Sequence, residues 1–317
     1  MTKHLPTLRV RTDYGEDYGG VVARDGLVIC FFMHRSHGEV AHAVWRALQT
    51  YRRAIPPGVL RWYPDYNGDY QPLDDKGEKF LQEELRDCRW PFRSSVLLAE
   101  HCDTVGGYNF EYEGYWRDGT RFMYDEDPTC AVSFTLPTEY LEEHGPKGVH
   151  ALARELAREL PLSFGYVSFA LVDLGGTWFM GRKTVLELRN RYLGLDIYRL
   201  GETSQYIGTQ ARGAYWLTFL GLPLLGRLGG FEVLRRRLRL PDLCLETLPP
   251  LEGQRVLVTL GEWPEVIDTA NQERPSPQLL ALGNLLEPFL YMERSGWFSF
   301  FADDVEDTRR WIRRFCR

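Results

Sequence analysis

The sequence predicts an α+β fold with largely antiparallel sheets and flanking helices. Three observations lead there. Hairpin-like segments open the chain, strands and helices do not alternate one for one, and no Ser-, Gly- or Pro-rich linker divides it. With 317 residues, 44% hydrophobic and 26% charged, the chain is of ordinary globular composition, which excludes a disordered chain, a collagen, a coiled coil and a membrane bundle. We expect one domain over residues 1–317, built from two intimately packed halves, 1–129 and 130–317.

The elements follow in order. Leu8 to Val10 and Gly26 to Met33 read as strands around a turn near Gly19–Gly20, and the Phe31–Phe32 pair breaks alternation, so the second strand is expected to be buried on both faces. Ser36 reads as an N-cap for a helix with Val40, Val44, Leu48 and Tyr51 on one face, running to about Arg53 and ended by Pro56–Pro57–Gly58. Residues 60–75 read as a polar surface loop, followed by a helix from Asp74 to Arg86. Ser95 to Glu100 and Gly107 to Trp116 read as strands.

Ala131 to Leu136 is a strand ending at Pro137, and Val149, Leu152, Leu156 and Leu160 share a helix face that Pro161 stops. Tyr166 to Val172 is a strand, Arg182 to Tyr192 a helix, Trp216 to Leu220 a strand. A helix with Phe231, Leu234 and Leu238 inward follows Gly229–Gly230. Arg255 to Leu260 is a strand, Leu279, Leu282, Leu286 and Phe289 mark a long helix, and a last helix runs from Asp303 to Phe315. Its acids come first and its arginines last, as the helix dipole prefers. The segments Cys130 to Val172 and Tyr215 to Leu260 read alike, strand, Leu-Pro, Gly, helix, strand, as an internal pseudo-duplication would.

No local catalytic signature is present. The chain holds no phosphate-cradling loop, no dinucleotide fingerprint and no nucleophile elbow. His37 and His42 stand five apart with Glu39 between them, so they fall on different helix faces, and the cluster with His34 reads as solvated or capping rather than metal-binding. Asp65, Asn67 and Asp69 imitate the start of a calcium loop, but Tyr70 and Lys76 occupy the positions that need Gly and Glu, leaving a polar turn. No metal, cofactor or catalytic residue is assigned. The six cysteines are irregularly spaced and read as free thiols of a reducing compartment. No apolar run reaches the ~20 residues a membrane helix needs, and the N-terminus has no signal-peptide core, so a cytoplasmic location is expected. A net charge of −6 argues against direct contact with nucleic acid.

Aromatic residues interleaved with acids stand out. One stretch holds Trp62, Tyr63, Asp65, Tyr66, Asp69 and Tyr70. The other holds Tyr112, Glu113, Tyr115, Trp116, Asp125, Glu126 and Asp127. Tyr and Trp anchor protein interfaces, and acids around them steer a basic partner, so these thirteen residues are the candidate partner-binding set. The competing reading puts alternate aromatics of a strand in the core and the acids in water.

A resemblance rests on several motifs in order: Ser133–Phe134–Thr135–Leu136–Pro137–Thr138–Glu139–Tyr140–Leu141–Glu142–Glu143–His144–Gly145, Leu193–Gly194–Leu195–Asp196, Gly213 to Gly221, Leu228–Gly229–Gly230, and Val258–Thr259–Leu260–Gly261–Glu262–Trp263–Pro264, with Pro72 to Gly77 opening the second helix. Over roughly Gly26 to Arg294 the chain resembles the type VI secretion immunity family (TsiV-like). The resemblance implies a cytoplasmic protein that binds one cognate effector toxin, encoded by a neighbouring gene and in some cases a nuclease, and neutralises it. It implies no interface residue.

The expected mechanism is occlusion of the toxin's active site or substrate groove. The alternatives are an enzyme that reverses or removes the toxin's product, and a non-catalytic adaptor of a secretion locus. A stoichiometric binder protects to about one equivalent of toxin, whereas an enzyme protects well below it.

Overall fold

The computed structural model describes residues 5–13, 20–86, 93–117, 127–251, 253–294 and 302–316. The chain begins with a short strand, β1 (Arg9–Arg11), paired with a long one, β2 (Val21–Met33). From Val22 to Met33 every residue of β2 is buried, because the strand lies between neighbours and under cover on both faces. Helix α1 (His37–Ala54) follows, its first turn tied by Glu39, whose carboxylate accepts from the Ser36 N–H at 2.7 Å.

The segment expected to be a loop instead forms a hairpin of two three-residue strands, β3 (Trp62–Pro64) and β4 (Tyr70–Pro72). Helix α2 (Asp75–Leu85) is capped by Asp74, which accepts from the N–H groups of Lys76 and Gly77 at 2.9 and 3.1 Å. Strands β5 (Arg93–Ala99) and β6 (Asn109–Tyr115) come next, then β7 (Cys130–Pro137), helix α3 (Thr138–Glu159) with a break at Gly145–Pro146, and β8 (Phe164–Asp173). Helices α4 (Arg182–Arg191) and α5 (Leu200–Tyr206) precede β9 (Leu217–Leu220). Then come α6 (Leu224–Arg227), α7 (Gly230–Arg237), β10 (Leu243–Leu248), β11 (Arg255–Leu260), α8 (Pro277–Leu286) and α9 (Ala302–Ile312). The sequence reading contained neither α5 nor β10.

The strands form one antiparallel sheet in the order β10-β11-β9-β8-β2-β7-β6-β5-β3-β4, with β1 alongside β2. The α+β expectation is met, with a single sheet in place of several. Strand β2, from the first half of the chain, sits between β7 and β8 of the second, so the two halves share one sheet. The look-alike segments differ in topology: β7 and β8 flank β2, whereas β9 and β11 are direct neighbours and β10 is added outside them.

Helices cover both faces. Along β6, Tyr112 faces α1 while Glu113 and Tyr115, on the opposite face, meet α5. Arg255, at the start of β11, closes the end of α3 by donating to the carbonyls of Ala157 and Leu160 at 2.6 and 2.9 Å. The five described cysteines are free thiols, with Cys30 and Cys130 buried. Among the described residues no helix is long and apolar enough to cross a membrane.

Candidate partner-binding surface

The β3–β4 hairpin stands at one edge of the sheet. Its tip is a tight turn fixed by Asp65. One oxygen of the carboxylate accepts from the N–H groups of Asn67 and Asp69 at 2.9 and 3.1 Å, and the other from the side-chain amide of Gln71 at 3.1 Å. The Asp65 and Asp69 backbones are also paired, and Gly68 takes φ +86°, a left-handed conformation that a side chain would oppose. The calcium-like spacing thus serves a turn. Among the described residues no three His, Cys, Asp or Glu side chains converge as metal ligands would.

Aromatic contacts bind this hairpin to α2. Tyr63 is buried and stacks on Phe80 at 4.9 Å, and Tyr66 meets the same ring edge-on at 5.2 Å. The Tyr66 hydroxyl donates to the buried Glu84 carboxylate at 2.9 Å, and the Ser94 hydroxyl donates to it at 3.1 Å. Tyr66 nevertheless remains 60% exposed. Asp69 is exposed, and Trp62, Asp65 and Tyr70 are half-buried. The tip therefore presents an ordered aromatic surface beside an acid, held at low entropic cost.

The second stretch behaves differently. Tyr112 is sealed from water, with its hydroxyl 2.8 Å from Nδ1 of His37. Burial lowers the His37 imidazole to about 4, against the smaller opposing effect of the nearby Glu84 backbone. Glu113 is buried and paired with Arg93 at 2.8 Å. Tyr115 is buried beneath the Arg93 guanidinium, its hydroxyl 3.2 Å from that of Ser204. Trp116 is half-buried, edge-on to His37 at 5.5 Å. These side chains hold α1 and α5 against the sheet, and Tyr63, Tyr112, Glu113 and Tyr115 offer a partner no surface. Asp127 is exposed, bonded to His34 Nε2 at 2.7 Å and to Arg117 at 3.1 Å. Burial alone would raise its carboxyl, but the interactions with His34 and Arg117 outweigh that and hold it below the usual range. Asp125 and Glu126 lie outside the described residues.

Of the second stretch, only Trp116 and Asp127 reach the surface among the described residues. The supports behind these placements, Phe80, Glu84 and Arg93, come from other elements and carried no signal in the aromatic–acidic pattern.

The profile of the family described as "TsiV: Type VI immunity for VRR-NUC" matches residues 43–315. No curated protein matches. Among solved structures, a chain described as Pseudomonas aeruginosa T6SS protein PA0821 superposes with a TM-score of 0.79 at 17% sequence identity, over 99% of this chain and 88% of that one. At that identity the likeness is one of fold.

Proposed function

This chain belongs to the TsiV family, type VI immunity for VRR-NUC, and from that premise we propose that it binds one cognate VRR-NUC effector and holds it inactive by covering the active site or the substrate groove. The family match over residues 43–315 carries this reading. The ordered tip of the β3–β4 hairpin supports it: Tyr66, 60% exposed yet pinned to Phe80 and Glu84, is a rigid aromatic anchor with Asp69 beside it. We read the effector as a nuclease. Its groove is then basic, because its substrate is a polyanion, and an acidic aromatic surface can occupy that groove in place of phosphates. The protein acts as a binder in the cytoplasm, where it meets delivered or newly made toxin, and performs no chemistry.

The test is titration of effector nuclease activity with this protein, together with co-purification and growth rescue on co-expression. Occlusion gives a linear fall in activity ending near one equivalent and a stable complex. Protection far below one equivalent without a complex would place the protein among enzymes that remove the toxin's product.

A further inference from the structure

We infer that the edge of the sheet opposite the hairpin carries a second contact, a socket for one basic side chain, arginine or lysine, of the same effector. The socket is a concavity of about 550 Å³ where the start of β10 meets the end of β11, lined by Asp242, Gly261, Glu262, Trp263, Glu265 and Gln278 among others. That volume lies within the range of small-ligand sites, ~300–1,000 Å³. The partner's identity rests on the immunity reading above, whereas the chemistry of the socket does not.

Trp263 is half-buried, and among the described residues it has no hydrogen bond, ring contact or cation over its face. Three other half-buried rings of this protein are covered by its own arginines: Phe179 by Arg182, Phe289 by Arg227 and Tyr206 by Arg294, with guanidinium carbons 5.6, 5.6 and 5.9 Å from the ring centres. The indole is the best natural platform for such a cation.

Two acids on the same concavity, Asp242 and Glu262, are exposed and have no side-chain partner among the described residues. The third acid, Glu265, is already committed: it accepts from the Ser276 N–H at 3.0 Å and from the Ser276 hydroxyl, at the start of α8. A cation over the indole would thus meet two unpaired carboxylates, and the ring and charge terms would add.

The walls are built before any ligand arrives. The Gly261 N–H donates to the Asp242 carbonyl at 2.8 Å, and both residues are left-handed, at φ +69° and +57°. The Gln278 amide donates to the Pro241 carbonyl at 2.6 Å. Such a preformed site loses little entropy on binding. Nine strand spacings separate β10 from β4, roughly 40 Å along the sheet, so the socket and the hairpin tip are separate surfaces.

The experiment has two arms. In the first, the protein is labelled with 5-fluorotryptophan, the Trp263 fluorine resonance is assigned by its loss in Trp263→Phe, and acetyl-Gly-Arg-Gly-amide is titrated in, with the Glu peptide as control. The Trp263 resonance should shift with the Arg peptide only, less at high salt, and less in Asp242→Asn/Glu262→Gln. A Trp263 resonance that ignores the Arg peptide overturns the socket, whatever the effector does. In the second arm, effector affinity is compared for wild type, Trp263→Phe, Trp263→Ala and Asp242→Asn/Glu262→Gln, with thermal midpoints recorded. The polar double variant, which changes only exposed side chains, should bind roughly three- to thirtyfold more weakly. Wild-type binding that every variant matches within about twofold overturns the socket as an effector contact. Wild type that binds no effector overturns the immunity reading and leaves the peptide arm to decide the chemistry.

Discussion

Nη1 of Arg212 donates to both carboxylate oxygens of Asp196, at 2.6 and 2.8 Å, with the two side chains 1% and 0% exposed. The Tyr166 hydroxyl completes Asp196 at 3.0 Å, and Nη2 of Arg212 reaches the Ile197 carbonyl at 2.6 Å. This pair closes the segment that carries α5 and, through Tyr166, ties it to β8. Removing one partner leaves a buried charge uncompensated, so Asp196→Ala should lower stability by about 3–5 kcal/mol. The double change Asp196→Leu/Arg212→Met removes both charges and should recover much of that loss. Urea unfolding of the three proteins checks it. A single variant within ~1 kcal/mol of wild type would show that the pair does not hold the fold.

The hairpin tip separates charge from structure. Asp65 is bound up in the turn, so reversing it tests the turn, whereas Asp69 is exposed. Asp69→Lys should slow association with the effector about two- to tenfold at low salt, with the difference fading at high salt, and leave dissociation nearly unchanged. Tyr66→Ala should chiefly speed dissociation, because it removes a fixed aromatic anchor. Stopped-flow association at two ionic strengths distinguishes the two effects.

The His37 ring should titrate far from its ordinary range. Its folded value is near 4 against 6.5 for a free imidazole, because burial beside Tyr112 and Trp116 disfavours the charged form. The unfolded chain therefore takes up a proton between pH 6.5 and pH 4 that the folded chain refuses. Stability from this residue is fully present above pH 6.5 and is lost as pH falls toward 4. An NMR titration of the His37 ring protons checks it directly, and a midpoint near 6.5 would contradict the buried geometry.

Local signals in the sequence were readable where the structure is local. Ser36 with Glu39, and Asp74, mark the starts of α1 and α2 because a cap and its targets lie within three residues. The burial of β2 was readable from Leu27 to Met33, an unbroken apolar run, but not at Arg24 and Asp25, which are buried as well. The edge strand β10 was not, because Leu243–Leu248 is only half-covered and its pattern reflects one neighbour, β11. The aromatic–acidic pattern placed Tyr66 and Asp69 on the surface but misplaced Glu113, which alternation assigns to water. Arg93, directly across from Tyr115 on β5, brings it inside. The Asp196–Arg212 pair and the Trp263 socket likewise depend on segments brought together only by the sheet.

Glu111 supplies a pH dependence of the opposite sign. It lies on β6 opposite Ser133 of β7, half-buried, and among the described residues its carboxyl has no hydrogen bond or ion pair. Burial, then the charges of Glu113 and Asp173, push it up to about 8, with Arg93 pulling the other way. Asp173 is itself raised to about 7 by burial, despite backbone N–H groups that favour its charged form. Tyr70 and Tyr198 lie near both acids. Below pH 4.5 Glu111 is protonated folded and unfolded alike. As pH rises from there toward 8 the unfolded chain ionises while the folded chain resists, so stability from this residue is lost across that window. Glu111→Gln keeps the shape and removes the titration. The variant should match wild type near pH 4.5 and exceed it at pH 8 by about 1–3 kcal/mol. Urea unfolding at both pH values gives the answer: a gap that is the same at each pH would mean that Glu111 ionises freely in the folded protein.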